Sequence, residues 1–371
     1  MLIKFFKLVL ILLFYQSPLY SKSKTSNDFN LHNLSNYFSG LVAHENKDNS
    51  EALKFFKSSR VLIKHHNPYL EKYILSLVLE GKVFQAINEI KQNSTKKNSN
   101  FFEANLILAV DSFKRKNYEK SETYLKKSYK FINNDSVKLI ILETLKQYLY
   151  IFEKNQASKI KKNFGNFSFI NEVFQRCYLD DENTDTLFKS LINNDDEVIY
   201  SRYNFFYINY LLEKNRYEEA KVIVNNLDYL NSSLLISQGK KWIEDKKLKE
   251  FQEIFSCKNP DDIISELFFL IANLYSSEGD YELSNFYLNI SQYLNPKFLF
   301  NLSLLAENYY FNENYSMALK VLKLFSKKDD FYYWFRLKKE AQIISKQQNL
   351  DTSLKFINSK FKNIPRGNHI L

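Results

Sequence analysis

The sequence predicts an all-α protein, and three observations support this prediction. Apolar residues recur at intervals of three and four along most of the chain, as expected for helices with one buried face. No stretch alternates apolar and polar residues with the period of two that is typical of a half-buried strand. The 371 residues include only 6 glycines and 5 prolines, which favours uninterrupted helices.

One segment, residues 266–322, contains the same unit twice. Matching residues in the two copies lie 34 positions apart and are Ala272 with Ala306, Tyr275 with Tyr309, Tyr281 with Tyr315, Ser284 with Ala318, and Leu288 with Leu322. Each copy has an apolar run, a short polar break and a second run, which predicts two helices joined by a tight turn. The small residues allow the two helices to approach closely.

This unit resembles the tetratricopeptide repeat (TPR) family. The first copy has small, aromatic or aliphatic residues and a proline at the positions where that family has them, namely Ala272, Tyr275, Ser284, Leu288, Ser291 and Pro296. The resemblance implies a TPR-type α-solenoid, a right-handed superhelix of helix-turn-helix pairs, similar to exported bacterial TPR-repeat proteins. It implies a scaffold and leaves the partner unspecified, because the family serves many functions.

The same pattern predicts a solenoid over residues 31–359. Its clearest repeats cover residues 33–130, 200–226 and 265–359, and degenerate repeats cover 134–198 and 232–257. Polar breaks that predict further hairpin turns lie at residues 47–49, 80–82, 116–118, 180–183, 213–217 and 246–247. We expect residues 24–30 to be a disordered linker and residues 360–371 to fray.

The first and last hairpins and the less regular middle of the chain are assigned from individual residues. Gly40 takes the small position of the first helix, and Ser353 takes the small position of the last helix in register with Ser284. Between the clear repeats, apolar residues at steps of three and four predict an amphipathic helix over residues 136–153. The basic residues 159–165 are predicted to form a short helix or a loop, near a break in curvature.

The first 23 residues have the layout of a secretory signal peptide. Lys4 and Lys7 form a basic start, Leu8 to Tyr15 form a short apolar core, and Ser21 and Ser23 are candidate cleavage positions. The apolar core is too short for a typical membrane span. A cleaved signal peptide predicts a periplasmic or exported protein. The alternative is an uncleaved N-terminal anchor, which predicts a protein held in the inner membrane and facing the periplasm.

The chain has two cysteines, Cys177 and Cys257. In an exported protein they could be oxidised. The repeat register places them in non-adjacent repeats, which favours two buried, unpaired thiols beyond disulfide reach.

Composition and motifs exclude several classes of function. The net charge of +10 favours acidic surfaces, but no arginine-rich stripe indicates nucleic-acid binding. His65 and His66 lack metal-ligand spacing, and the acidic runs 180–182 and 193–197 are interpreted as solvated helix ends rather than calcium loops. No glycine-rich phosphate loop or nucleophile motif is present. We therefore expect no enzyme activity, no cofactor and no metal.

The resemblance also implies a candidate binding surface. In the TPR family, certain positions of the first helix of each repeat line a concave groove. Transferred to this sequence, they give Arg202, Phe205, Asn209, Phe269, Asn273, Ser276, Phe300, Glu307 and Tyr310. Aromatic rings supply contact area, and asparagine amides can bond a peptide backbone. The equally weighted alternative is that these aromatic residues belong to the core.

Together these features predict a non-catalytic protein–protein interaction scaffold of the bacterial cell envelope. Its partner would be an envelope protein bound in the groove, with no role for nucleic acid. Two alternatives stay open at this point. The first is a recruiting or regulatory subunit of a cell-wall or polysaccharide enzyme complex, and the second is a membrane-tethered periplasmic TPR protein.

Overall fold

The prediction of an all-α fold is confirmed. The structure is a computed structural model, and it describes residues 30–64, 66–94, 99–158, 162–193, 197–227, 233–327 and 330–361. Every regular element in these ranges is a helix. The predicted leader (1–23), almost all of the predicted linker (24–30) and the tail beyond residue 361 lie outside the described residues. Residues 360 and 361, predicted to fray, belong to the last helix.

Nineteen α-helices occur in the described ranges. They are α1 (Leu31–Glu45), α2 (Asn49–Ser58), α3 (Asn67–Leu79), α4 (Val83–Gln92), α5 (Phe102–Lys114), α6 (Tyr118–Ser128), α7 (Ser136–Lys154), α8 (Asn166–Leu179), α9 (Thr184–Ile192), α10 (Glu197–Glu213), α11 (Tyr217–Asn226), α12 (Leu234–Glu244), α13 (Lys249–Ile254), α14 (Pro260–Ser277), α15 (Tyr281–Leu294), α16 (Phe300–Phe311), α17 (Tyr315–Leu322), α18 (Asp330–Gln347) and α19 (Leu350–Phe361). Short 3₁₀ helices cover Arg60–Lys64 and Tyr129–Phe131.

One turn geometry recurs along the chain. Each such turn has a left-handed residue one or two positions after the first helix of a pair, and these residues are Lys47, Gly81, Lys116, Asp180, Asn215, Lys246, Gly279 and Glu313. At Gly279, its N–H donates to the Ser276 carbonyl at 3.1 Å, and the Asp280 N–H donates to the Tyr275 carbonyl at 2.9 Å. This pair of bonds satisfies carbonyls left open at a helix end, and it is present at all eight turns. The predicted turns are confirmed.

The residue after the turn often caps the second helix. The Asp280 carboxylate accepts from the Leu283 N–H at 3.0 Å, and the Asn314 amide oxygen accepts from the Met317 N–H at 3.2 Å. The left-handed turn and the N-cap together fix where one helix ends and the next begins. Successive turns lie 31 to 35 residues apart, except across the longer connection between Lys116 and Asp180.

Small residues lie where the helices of a pair meet. Ala272, Ser284 and Ala318 are fully buried. Between α14 and α15, the Ser291 hydroxyl donates to the Ser265 carbonyl at 2.7 Å, and the two hydroxyl oxygens are 2.9 Å apart. Helix backbones come this close only where side chains are small. The predicted role of the small positions is therefore confirmed in this hairpin.

The chain divides into two compact units, residues 1–69 and 70–371. In the described part of the first unit, α1 packs on α2 with Gly40 facing the Phe56 ring, where an added Cβ would approach to 2.9 Å. Tyr37 stacks on Tyr69 with ring centroids 5.5 Å apart. A larger residue at position 40 would therefore force the Phe56 ring or the helix to shift.

In the second unit, helices far apart in sequence pack side by side. Helix α4 contacts α15, α7 contacts α14, and α12 contacts α18. The Tyr309 hydroxyl donates to the Leu79 carbonyl at 2.7 Å, and the Tyr293 hydroxyl donates to the Asp111 carboxylate at 3.0 Å. The late hairpins therefore pack against the early ones as well as against their sequence neighbours.

Candidate partner-binding surface

The predicted groove residues of the late hairpins lie on α14 and α16. These two helices lie next to each other, with the rings of Phe269 and Phe300 5.7 Å apart. Further along the pair, the Ser276 hydroxyl donates to the Asn308 side chain at 2.7 Å. The face formed by α14 and α16 has two ends of different character.

At the N-terminal end of this face, α10 inserts Arg202. The guanidinium carbon lies 3.7 Å from the Phe269 ring centroid and 4.6 Å from that of Phe300. Its Nε donates to Glu266 Oε1 at 2.9 Å, and Nη2 donates to Oε2 at 2.5 Å. Burial raises the pKa of the Glu266 carboxyl, and the neighbouring Arg202 charge acts in the opposite direction. The chain itself therefore occupies this end of the predicted groove.

Four of the predicted site residues are buried, which corrects the expectation that they line an open surface. Arg202, Phe205, Asn209 and Phe269 all pack inside the unit. The Asn209 amide donates to the Phe255 carbonyl at 2.6 Å, and Phe205 stacks on Phe251 at 5.2 Å. The alternative interpretation, that the aromatic residues among the four are core, agrees with their packing. The repeat register could not reveal it, because α10 reaches this face from a different hairpin.

The C-terminal end of the same face is open. Asn273 is exposed, and Ser276, Glu307 and Tyr310 are half-buried, as is Phe300 at the boundary. We call Asn273, Ser276, Glu307, Tyr310 and Lys339 the open patch. Its amide, carboxylate, phenol and ammonium groups can form hydrogen bonds and ion pairs with a bound chain.

Lys339 of α18 was not predicted from the sequence. Its ammonium lies 3.0 Å from Glu307 Oε1, 5.1 Å from the ring centroid of Tyr310 and 5.7 Å from that of Phe311. The lysine is held by a carboxylate and by aromatic faces at once. No signal in the sequence marked it, because lysines are abundant on the helices of this chain.

The expectation of two unpaired thiols is wrong. Cys177, near the end of α8, and Cys257, between α13 and α14, form a disulfide bond with their Cα atoms 5.9 Å apart. Lys258 holds the same junction, because its ammonium donates to the carbonyls of Cys177 and Tyr178 at 2.9 Å each. The segment between α13 and α14 folds back on α8, and a register of neighbouring repeats does not encode this contact.

The acidic turn at residues 180–182 is engaged in ion pairs. Asp181 accepts from Arg176 at 2.7 Å, and Asp180 pairs with Lys214 and Lys258. The ranges described here contain no group of three or more potential metal ligands. Within the same ranges, no helix is long and apolar enough to cross a bilayer. The predictions made for His65 and for residues 194–196 lie outside the described residues.

Two surface cavities lie away from the open patch. One, of about 440 Å³, lies between α7 and α8 and is lined by Gln147, Lys162 and Gln175 among others. The other, of about 730 Å³, lies between α1 and α2 and includes Phe38, Val42 and Phe55. Neither cavity includes a residue of the predicted binding set.

Comparison of the chain with known protein-family models gives no match, and comparison with the curated proteins gives none either.

Proposed function

We propose that this protein is a non-catalytic scaffold of the bacterial cell envelope that binds a protein partner at the open patch. The observation that carries the proposal is a partly exposed polar and aromatic surface on a face built from repeated helical hairpins. Asn273, Glu307 and Tyr310 retain access to solvent there, while the rest of the face is filled by Arg202. A partner segment would extend the packing that Arg202 begins.

The recurring turns support a TPR-type architecture. Eight turns share one hydrogen-bonding pattern, and most follow each other at intervals close to the 34 residues of that repeat. The buried Ala272 and Ser284 support the same assignment. Contact between α4 and α15, several hairpins apart, departs from a simple solenoid, in which each repeat contacts only its neighbours. In this proposal the superhelix is right-handed.

The disulfide bond supports export. Disulfide bonds persist in oxidising compartments such as the bacterial periplasm and are rare in the cytosol. Cys177 and Cys257 are the only cysteines of the chain, and they are paired with each other. This agrees with the proposal that the first 23 residues are a signal peptide and that the protein acts in the periplasm.

The chemistry of the open patch favours a peptide segment as the bound element. The Asn273 amide can donate to and accept from a peptide backbone. Tyr310 offers a rigid ring of the kind that dominates binding energy at interfaces. Glu307 and Lys339 form an ion pair at 3.0 Å, which a charged partner residue can extend.

Affinity purification from native envelopes tests the proposal. The double variant Asn273→Ala/Tyr310→Ala removes the amide and the ring, and Tyr150→Ala removes an exposed tyrosine from α7 as a matched control. We expect one dominant partner with the wild-type protein and the control, and its loss with the double variant. The same partners in equal amounts with all three proteins would contradict the proposal, provided that the melting temperatures agree.

A further inference from the structure

The first and last helices of the described residues, α1 and α19, both expose an apolar stripe. On α1, Leu31, Phe38 and Val42 are 87%, 58% and 61% exposed. On α19, Leu350 and Leu354 are 63% and 48% exposed and lie one turn apart. Terminal repeats of helical arrays normally carry a polar outer face, because no neighbour covers it. The apolar face of each helix is therefore a candidate contact surface.

The internal hairpins show what covers the equivalent positions on α19. Ser353 and Ser284 hold the same register position, so Leu354 corresponds to Asn285 and Leu350 to Tyr281. Both internal residues contact the next hairpin. The Asn285 side chain accepts from Asn308 of α16 at 3.0 Å, and Tyr281 stacks on Phe311 at 6.1 Å. The exposed leucines thus occupy the positions that, in the internal hairpins, contact the first helix of the next hairpin.

The same comparison applies to α1. Gly40 corresponds to Ala306, so Val42 corresponds to Asn308 and Ser35 to Asn301. Both asparagines bond to the preceding hairpin. Besides its bond to Asn285, Asn308 donates to the Ser284 hydroxyl at 2.7 Å, and Asn301 donates to the Ser291 hydroxyl at 2.7 Å. The exposed face of α1 therefore corresponds to the face that, in the internal hairpins, contacts the second helix of the preceding hairpin.

The two ends also match in chemistry. At the internal junction, Asn308 meets Asn285, a polar pair. At the corresponding positions of the two ends stand Val42 and Leu354, an apolar pair. The apolar character of both faces favours contact between them.

We propose that the chain assembles head to tail, with α19 of one copy docked on α1 of the next. Val42 of one copy then packs against Leu354 of another, and the contact continues the interface between internal hairpins. Such a contact uses two different surfaces, so it extends from copy to copy unless the rotation closes a ring. The proposal does not depend on partner binding at the open patch.

Analytical ultracentrifugation over a range of protein concentrations tests this assembly. We expect the wild-type protein to form larger species as its concentration rises. Val42→Glu and Leu354→Glu each place a charge in the contact and should weaken association at least about tenfold. Val222→Glu changes an equally exposed valine on α11 and should leave association unchanged. Because all three side chains are about half exposed or more, the variants should keep the melting temperature of the wild-type protein.

A mixture of the two end variants gives the sharpest result. Val42→Glu keeps an intact α19 face, and Leu354→Glu keeps an intact α1 face. Each variant alone should be monomeric, and an equimolar mixture should form a dimer and nothing larger. Crosslinking with Val42→Cys and Leu354→Cys should likewise link only mixed pairs, since the two native cysteines are bonded to each other.

Four results would overturn the proposal. The first is a wild-type protein that stays monomeric at every concentration. The second is association that survives in both end variants. The third is a mixture that stays monomeric. The fourth is association abolished by only one of the two substitutions, since a contact between like surfaces would depend on one face alone.

Discussion

The ion pair between Arg202 and Glu266 gives the most quantitative prediction. Their side chains are 9% and 1% exposed, and two hydrogen bonds of 2.9 and 2.5 Å join them. Glu266→Leu leaves the guanidinium buried without its carboxylate, which should cost about 3–5 kcal/mol of unfolding free energy. Arg202→Met leaves the carboxylate unpaired and also removes the contact with Phe269, which adds about 1 kcal/mol.

The double variant Arg202→Met/Glu266→Leu measures the interaction energy between the two side chains apart from their other contacts. With both charges gone, neither substitution leaves a buried charge unpaired, so the double variant should be more stable than either single variant. We expect it to lie within about 2 kcal/mol of the wild-type protein. Urea unfolding at pH 7, followed by circular dichroism, measures all four proteins. Additive losses in the double variant would refute the buried pairing of α10 with the α14–α16 face.

Three further predictions concern the helix contacts, the disulfide bond and a buried acid. Ala318→Leu should cost about 1–3 kcal/mol, because the alanine is fully buried between helices. Replacing Cys177 and Cys257 by alanine removes a disulfide bond between residues 80 positions apart. The free energy of unfolding should fall by about 4 kcal/mol. Burial raises the pKa of Asp262 to about 6, despite its bond from the Ser256 N–H. The folded protein therefore binds a proton that the unfolded chain releases between about pH 4 and 6, so stability falls as pH rises through this range. Asp262→Asn should remove that fall and stabilise the protein at pH 7 by about 1–3 kcal/mol.

Thermal unfolding checks the Ala318 prediction, and an unchanged melting temperature would show that the repeat register is wrong. Urea unfolding with and without reductant checks the disulfide bond; equal midpoints for the oxidised and reduced protein would contradict it. For Asp262, unfolding free energies at pH 4, 5, 6 and 7 are compared between the wild type and the asparagine variant. Parallel curves would rule out a titrating Asp262.

The hairpins could be predicted from the sequence because their signals are local. The break Gly279–Asp280 combines a residue suited to the left-handed conformation with a side chain that caps the next helix. Ala272 and Ser284 mark where the two helices cross. These features involve residues within one repeat unit, so the pattern of small and apolar residues contains them.

The lateral packing could not be predicted, because it joins residues far apart in sequence. Tyr309 bonds to Leu79, and Cys177 pairs with Cys257, with no periodic signal that relates the partners. The same limit explains the candidate site. Phe269 and Asn273 are both predicted groove residues of α14, yet Arg202 from another hairpin covers only the first. Which part of a repeated face stays open depends on long-range packing, and the repeat pattern does not encode it.

The measurement that tests the proposed scaffold most directly is site-specific photocrosslinking in living cells. A photoreactive residue replaces Asn273 in the open patch, and a second strain carries it at Tyr150 as a control. We predict that position 273 captures one envelope protein as the main product, that position 150 does not capture it, and that Tyr310→Ala reduces its yield. Identical products from both positions, or none from position 273, would contradict partner binding at the open patch.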